Sequence, residues 1–309
     1  MPYLFATYAE VHTVGTLTLP GFPAKRGESL VEPHTDLILK NLQEAGVGPD
    51  DRFPWTAGVT SAADLYRYTL LKTWLVPKEN KGSFQGPNDL PWNLQALAYW
   101  APDTELQWVS ENGTPMDLDF LTGFTVAVLA KESAFLFEKM QRGEPFERAG
   151  QPLFGYTCGG AHLLQGASYA VARGFGTAKD RSAVVAQVPL WFYRLPGELA
   201  QYEAAERKNP KARLRIQVQR MKFLGHFLES LSKMSAMGLY TPDDAQLHLL
   251  EGAAQNLALT VESIRKGGAF EHMEDVKKTD PQLYLDIVGD SGHATRGLEL
   301  ALGRGTIGW

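Results

Sequence analysis

The chain has 309 residues and a formal net charge of −5, with 44% hydrophobic and 21% charged residues. These values are typical of a folded globular protein and exclude an intrinsically disordered one. The single cysteine excludes internal disulfides and multi-cysteine zinc sites.

Charge and hydropathy patterns exclude two classes of partner. Basic residues are scattered, apart from a short cluster over 208–220 that neighbouring glutamates balance, so we expect no nucleic-acid partner. No uninterrupted run of about 18 apolar residues occurs, and the first residues lack the basic and long apolar regions of a signal peptide. We therefore expect a soluble protein without a membrane span, with the cytoplasm favoured over the periplasm. No pattern indicates an oligomeric state.

Residues 1–115 are rich in Pro, Gly and Trp and predict an irregular part with short elements. Val11 to Val14 has β-like character, and helices are predicted over 34–45, 62–75 and 92–100, with Ser61 as an N-cap. Trp92, Trp100 and Trp108 have two interpretations. They could form a stacking platform for a planar ligand such as a sugar, or pack in the core, which is the more frequent use of tryptophan.

Residues 116–309 carry long helical patterns with clear stops. Helices are predicted over 118–141, 161–173, 182–193, 198–208, 211–237, 241–266 and 280–302. Pro196 separates two of them, and the last could break at Gly289 or Gly292. Short loops between long helices favour antiparallel neighbours. The sequence therefore predicts an all-α protein of antiparallel helix hairpins, as a multi-helix bundle or an α/α toroid. The irregular part then packs on the 116–309 domain, or both form one domain.

The first candidate site is the uncharged segment around Cys158. No Asp, Glu, Lys or Arg occurs over 149–172, which predicts a central helix. His162, Gln165, Tyr169 and Arg173 are spaced to share one face of that helix. Since buried polar groups need partners, we expect Gln165, Tyr169 and Arg173, together with Trp92, to contact protein, water or a ligand.

Cys158 itself has three interpretations. It precedes a helix, whose dipole and free N–H groups favour a thiolate, and Gly159 and Gly160 would let a ligand approach the backbone closely. It could be a nucleophile with His162 or His293 as its base, or it could share a metal with His162. The structural alternative, which we prefer on frequency, is a buried thiol with a hydrogen-bonded histidine beside it.

The second candidate site is formed by Asp286, Asp290 and His293. On a helix these side chains share one face, and they could hold a divalent metal or form an acid–base pair. Glycines at 289, 292 and 297 cost a helix about 1 kcal/mol each relative to alanine. The structural alternative is that these glycines only allow close packing against another helix, and the sequence favours neither interpretation over the other.

Two histidine–glutamate pairs lie three residues apart in the helical part of the sequence. His226 with Glu229, and His248 with Glu251, are predicted to be surface ion pairs.

The favoured hypothesis for the function is a helical protein that binds a ligand or a metal, either as an enzyme or without catalysis. Its pocket would be lined by the 158–162 and 286–293 segments. A non-catalytic binder of a small molecule or cofactor in an apolar cavity, and a scaffold for protein partners, are the alternatives.

Overall fold

The computed structural model describes residues 2–79, 81–84, 89–102, 106–305 and 307. The described chain is mostly helical, and its strands form only short antiparallel two-stranded hairpins. The expectation of a mostly helical protein is therefore confirmed. The chain divides into two compact units, each built from separate stretches of sequence. Unit 1 contains residues 1–129, 162–184 and 308–309, and unit 2 contains residues 130–161 and 185–307.

Unit 1 contains the hairpins and the shorter helices. Its paired strands are β1 Glu10–Val14 with β2 Leu17–Gly21, β3 Lys25–Arg26 with β4 Ser29–Leu30, β5 Arg52–Trp55 with β6 Gly58–Ser61, β7 Leu75–Val76 with β8 Lys81–Gly82, and β9 Gln107–Val109 with β10 Pro115–Asp117. Its helices are α1 Pro2–Tyr8, α2 Leu37–Glu44, α3 Ala62–Lys72, α4 Asp89–Tyr99, the first half of α5 Leu118–Gln141, most of α6 Ala161–Ala172, and α7 Ala178–Val185. The predicted cap at Ser61 is confirmed, because its hydroxyl accepts the Asp64 N–H and the Asp64 carboxylate accepts the Ser61 N–H.

Helix α6 is the central helix that the uncharged segment predicts. Every residue from Ala161 to Val171 is buried. A side chain at Gly166 would lie 2.5 Å from the carbonyl oxygen of Pro91, so the glycine allows α4 and α6 to pack with their backbones close together. Apolar residues of α4, α5 and α6 complete this core, including Leu94, Leu121 and Ala170.

Unit 2 contains the long helices and the short helix α11. They are the second half of α5, α8 Gln187–Lys208, α9 Arg213–Ala236, α10 Asp244–Lys266, α11 Met273–Thr279 and α12 Pro281–Ala301. Helix α9 packs along α12 and also contacts α8 and α10. Two glycines bring α9 and α12 together, because a Cβ at Gly297 would lie 2.6 Å from the Gly225 carbonyl oxygen, and one at Gly225 would lie 2.8 Å from the Ala294 nitrogen.

Two sequence-based expectations for the helices are wrong, and one possible break does not occur. Helix α8 runs through Pro196 without ending, and a buried ion pair between Arg194 and Glu198 spans the proline. Helix α12 does not break at Gly289 or Gly292. Helix α10 begins after Asp243, which caps it, rather than after Thr241. In the first two cases, tertiary packing outweighs a local preference of a few kcal/mol.

Helix α5 is the one helix of the described residues that is long and apolar enough to cross a membrane. Its mean hydropathy reaches 1.5, and 39% of the most apolar window is buried. Length and composition are weak evidence when a single helix meets them, because core helices of water-soluble proteins do so as well. Helix α5 has such a core face, which includes Leu118, Leu121 and Leu136.

Candidate metal centre

The strongest concentration of chemically active groups in unit 2 lies between α9 and α12. Three residues of α9, spaced by three or four positions, contact α12: Lys222, His226 and Glu229. Lys233 follows one turn after Glu229 and hydrogen-bonds it. Three residues of α12 with the same spacing face these α9 residues: Asp286, Asp290 and His293. Because positions three and four apart share a helix face, each set forms a continuous polar stripe.

Glu229 is the centre of this arrangement. Its Oε2 atom lies 2.7 Å from Nδ1 of His293 and 3.8 Å from Nδ1 of His226, and its Oε1 atom accepts a 2.6 Å hydrogen bond from Lys233. Glu229, His226 and Lys233 are each only 1% exposed. The expectation of a surface ion pair between His226 and Glu229 is therefore wrong, since the polar stripe of α9 faces α12 and not solvent.

The donor atoms of His226, Glu229 and His293 lie close enough together that they could hold a metal ion. One ligand atom from each residue lies within 4.8 Å of the other two. The two imidazole rings are 3.9 Å apart between centroids. Two imidazoles and a carboxylate are the protein ligands of many catalytic zinc sites and of the facial triad that binds ferrous iron.

The predicted ligands Asp286 and Asp290 contact Lys222 in this structure. Each of the two carboxylates has an oxygen 3.3 Å from the ammonium nitrogen of Lys222. Burial raises the pKa of Asp290 to about 6, although Lys222 and His293 oppose this. Burial alone would lower the pKa of Lys222, but the carboxylates of Asp290 and Asp286 favour its charged form, and the pKa is raised. The predicted grouping of these aspartates with His293 at one metal stays a prediction.

Cys158 belongs to the same unit and lies close to His226. Its Sγ atom is within 4.8 Å of an imidazole nitrogen of His226. Burial raises the pKa of the thiol to about 12, and the carboxylates of Asp290 and Asp286 act in the same direction. This direction is opposite to the lowered pKa that a helix N-terminus favours, because desolvation and the nearby carboxylates both oppose ionisation of the thiol.

The other predicted site residues belong to unit 1. The Trp92 indole lies between two imidazoles, with ring centroids 4.3 Å from His34 and 4.2 Å from His162. Both faces of this buried ring are covered, so it offers no open stacking surface to a planar ligand. Gln165 and Tyr169 are buried, and Arg173 donates a hydrogen bond to the Ala101 carbonyl oxygen.

Sequence reasoning missed Glu229, His226 and Lys233 as site residues. A signal was present, because the spacing 222, 226, 229 and 233 matches the spacing 286, 290 and 293 with complementary charge. Each stripe alone resembles a solvated helix face, and only the pairing of the two helices gives it a different meaning. The other histidine–glutamate pair, His248 and Glu251, is exposed, as a surface position predicts.

No family model, no curated protein and no solved structure matches this chain. A function therefore has to follow from the chemistry of its own residues.

Proposed function

We propose that unit 2 binds a divalent transition metal through His226, Glu229 and His293. The observation that carries the proposal is the approach of these three donor atoms to within 4.8 Å of one another, on two helices that glycines hold close together. Zinc and ferrous iron are the ions that this donor set suits.

The charge balance of the α9–α12 interface supports a bound cation. Around the three donors, the described contacts join three carboxylates, Glu229, Asp286 and Asp290, with two ammonium groups, Lys222 and Lys233. With neutral imidazoles, the sum is one negative charge. Buried charge without compensation is costly, so a metal ion bound beside these groups would offset their negative charge.

A three-residue donor set also supports a catalytic rather than a purely structural metal. Structural zinc sites are usually closed by four protein ligands, whereas catalytic sites keep one position for water or substrate. Lys233 would then orient Glu229 from its second oxygen, as hydrogen-bonding neighbours commonly do for metal ligands.

Metal analysis of designed variants tests this function. We expect the wild-type protein to bind about one equivalent of zinc or ferrous iron, measured by elemental analysis after dialysis and by calorimetric titration. His293→Ala and Glu229→Gln should each weaken binding at least tenfold, because each removes one of the three donors. His248→Ala is the matched control, since His248 is an exposed helical histidine of α10 that is not one of the three donors, and it should bind like wild type. Unchanged affinity in His293→Ala would refute the proposal.

A second candidate function is nucleophilic catalysis by Cys158. Its support is proximity. The Cys158 sulfur lies within 4.8 Å of a His226 nitrogen, and His226 Nδ1 lies 3.8 Å from a Glu229 oxygen, which is the order of nucleophile, base and orienting acid. The raised pKa of the thiol works against this second function, because the thiolate is the nucleophilic form of cysteine. Rapid alkylation by iodoacetamide at pH 7 in metal-free protein, abolished in His226→Gln, would favour the nucleophile.

A further inference from the structure

Unit 2 also contains an open cleft that reaches the residues beside the proposed metal site. Three of the side chains that line it are cationic, Arg148, Arg194 and Lys222, and three are aromatic, Phe154, Tyr202 and Phe223. Cys158 lines the same cleft, and its sulfur is within 4.8 Å of a nitrogen of His226. A ligand in this cleft would therefore contact residues next to the proposed metal.

The lining of the cleft carries an excess of positive charge. Its one carboxylate, Glu198, pairs with Arg194 at 3.1 Å. Lys222 pairs with carboxylates of α12. Arg148 is exposed and has no carboxylate within ion-pair distance among the described residues. Its Nη1 atom donates a 3.3 Å hydrogen bond to the Tyr202 hydroxyl, and its guanidinium lies 4.9 Å from the Phe154 ring centre.

Arg194 gives the cleft a second, buried guanidinium. The side chain is 1% exposed and lies between the rings of Phe154 and Trp191, at 4.8 and 4.5 Å. Its Nη1 atom donates to the Gly159 carbonyl oxygen, while its Nε atom has no hydrogen-bond partner in the part of the chain that the structure describes. A buried donor without a partner is costly, so a ligand or water that accepts from it would be favoured.

We propose that this cleft binds a small organic anion through the guanidinium of Arg148, with the body of the ligand against Phe154 and Tyr202. A planar guanidinium suits a carboxylate or phosphate, and aromatic rings suit an apolar body. The idea that such an anion is the substrate of a metal enzyme rests on the proposed function. Binding of the anion to the cleft needs no metal.

Protection of the single cysteine is a direct readout of cleft occupancy. Cys158 is the only thiol of the chain, so the rate of its reaction with 4,4′-dithiodipyridine reports on this site alone. We expect benzoate to slow the reaction in a saturable way and to raise the thermal midpoint, and neutral benzamide to do neither. Arg148→Gln should weaken the benzoate effect at least tenfold. Arg142→Gln, which removes another exposed arginine of unit 2, should leave it unchanged.

Two further comparisons distinguish a phosphate site from a carboxylate site, and anion binding in the cleft from metal binding. Protection by inorganic phosphate at lower concentration than benzoate would assign the site to phosphate esters, and the reverse order to carboxylic acids. Each measurement is made on EDTA-treated and on zinc-loaded protein. Benzoate protection that persists without metal supports the cleft even if metal binding fails. Equal effects of benzoate and benzamide, or full benzoate protection in Arg148→Gln, would overturn the inference.

Discussion

Gly159 shows how a single residue shapes the cleft. Its φ angle of +60° lies in the left-handed region, as does that of Cys158 at +56°, which is unusual for a residue with a side chain. A Cβ at Gly159 would lie 2.9 Å from Arg194 Nη2 and 3.0 Å from the Phe154 ring. The sequence predicts that glycine here permits close approach to the backbone, and in this structure it is Arg194 that approaches.

Substitution of Gly159 should therefore cost more than backbone strain alone. Gly143, at φ +66° with no atom within 4 Å of where a Cβ would lie, is the matched control. We expect Gly143→Ala to lose about 1–2 kcal/mol of unfolding free energy. Gly159→Ala adds the displacement of two cleft residues and should lose about 1–3 kcal/mol more. Urea unfolding followed by circular dichroism measures both, and equal losses would mean that Arg194 and Phe154 move aside without cost.

At the scale of helices, the glycines of α12 serve different purposes. Gly297 faces the Gly225 carbonyl oxygen of α9, whereas Gly289 is exposed and has nothing near its Cβ position. Close helix packing, the structural alternative for these glycines, therefore applies to Gly297 but not to Gly289.

The two glycines predict opposite responses to alanine. Alanine at an exposed helical position should stabilise α12, so Gly289→Ala is expected to raise the unfolding free energy by up to about 1 kcal/mol. Gly297→Ala should lower it by about 1–3 kcal/mol, because the new methyl group collides with α9 backbone that cannot move independently. Thermal and urea unfolding of both variants measure the difference. A stabilising Gly297→Ala would contradict the close packing of α9 and α12.

Helix positions and apolar stripes were the features most accessible from sequence. Helix α5 has the predicted bounds, and Phe223, Phe227 and Leu231 of α9 are buried as their spacing predicts. In α10, apolar residues recur every three or four positions from Leu247 to Ile264, which predicts one buried stripe. Leu257 and Ile264 are buried but Leu247 is exposed, because only part of a periodic face meets a neighbour. Periodicity identifies the face of a helix, but tertiary packing decides how much of it is covered.

The candidate metal centre was only partly accessible for the same reason. His293 carried a recognisable signal, since it follows two aspartates on one helical face. Glu229 and His226 lie 64 or more positions away along the chain, and their role depends on α9 packing against α12. Chain spacing within one helix cannot supply that contact.

At the scale of the whole molecule, stability should depend on pH through carboxyl groups of unit 1. Burial raises the pKa of Glu32 well above its ordinary value, and the neighbouring carboxylate of Asp36 raises it further. Burial also raises the pKa of Asp36, even though Thr69 and Asn93 donate hydrogen bonds to it. The folded chain therefore keeps protons that the unfolded chain releases.

The sign of the effect follows from proton linkage. Below the ordinary pKa values of 3.8 and 4.5, both states are protonated and these groups cost no stability. As pH rises from there toward the raised values, the unfolded state binds fewer protons than the folded state, and the free energy of unfolding falls. Removing the titrating group at Glu32 should therefore stabilise the protein most where the unfolded chain would be fully ionised.

Glu32→Gln tests this dependence while keeping an oxygen that can accept the Ile38 N–H now bound at 2.9 Å. We expect the variant to exceed wild type in unfolding free energy by more at pH 8 than at pH 4, because only the carboxyl group suffers from ionisation in its buried, acidic surroundings. Urea unfolding in EDTA at both pH values separates this effect from metal binding. Glu28→Gln, an exposed glutamate of the same unit, is the control and should show no such difference. A stabilisation by Glu32→Gln that is equal at both pH values would show that the carboxyl group ionises as readily in the folded chain as in the unfolded one.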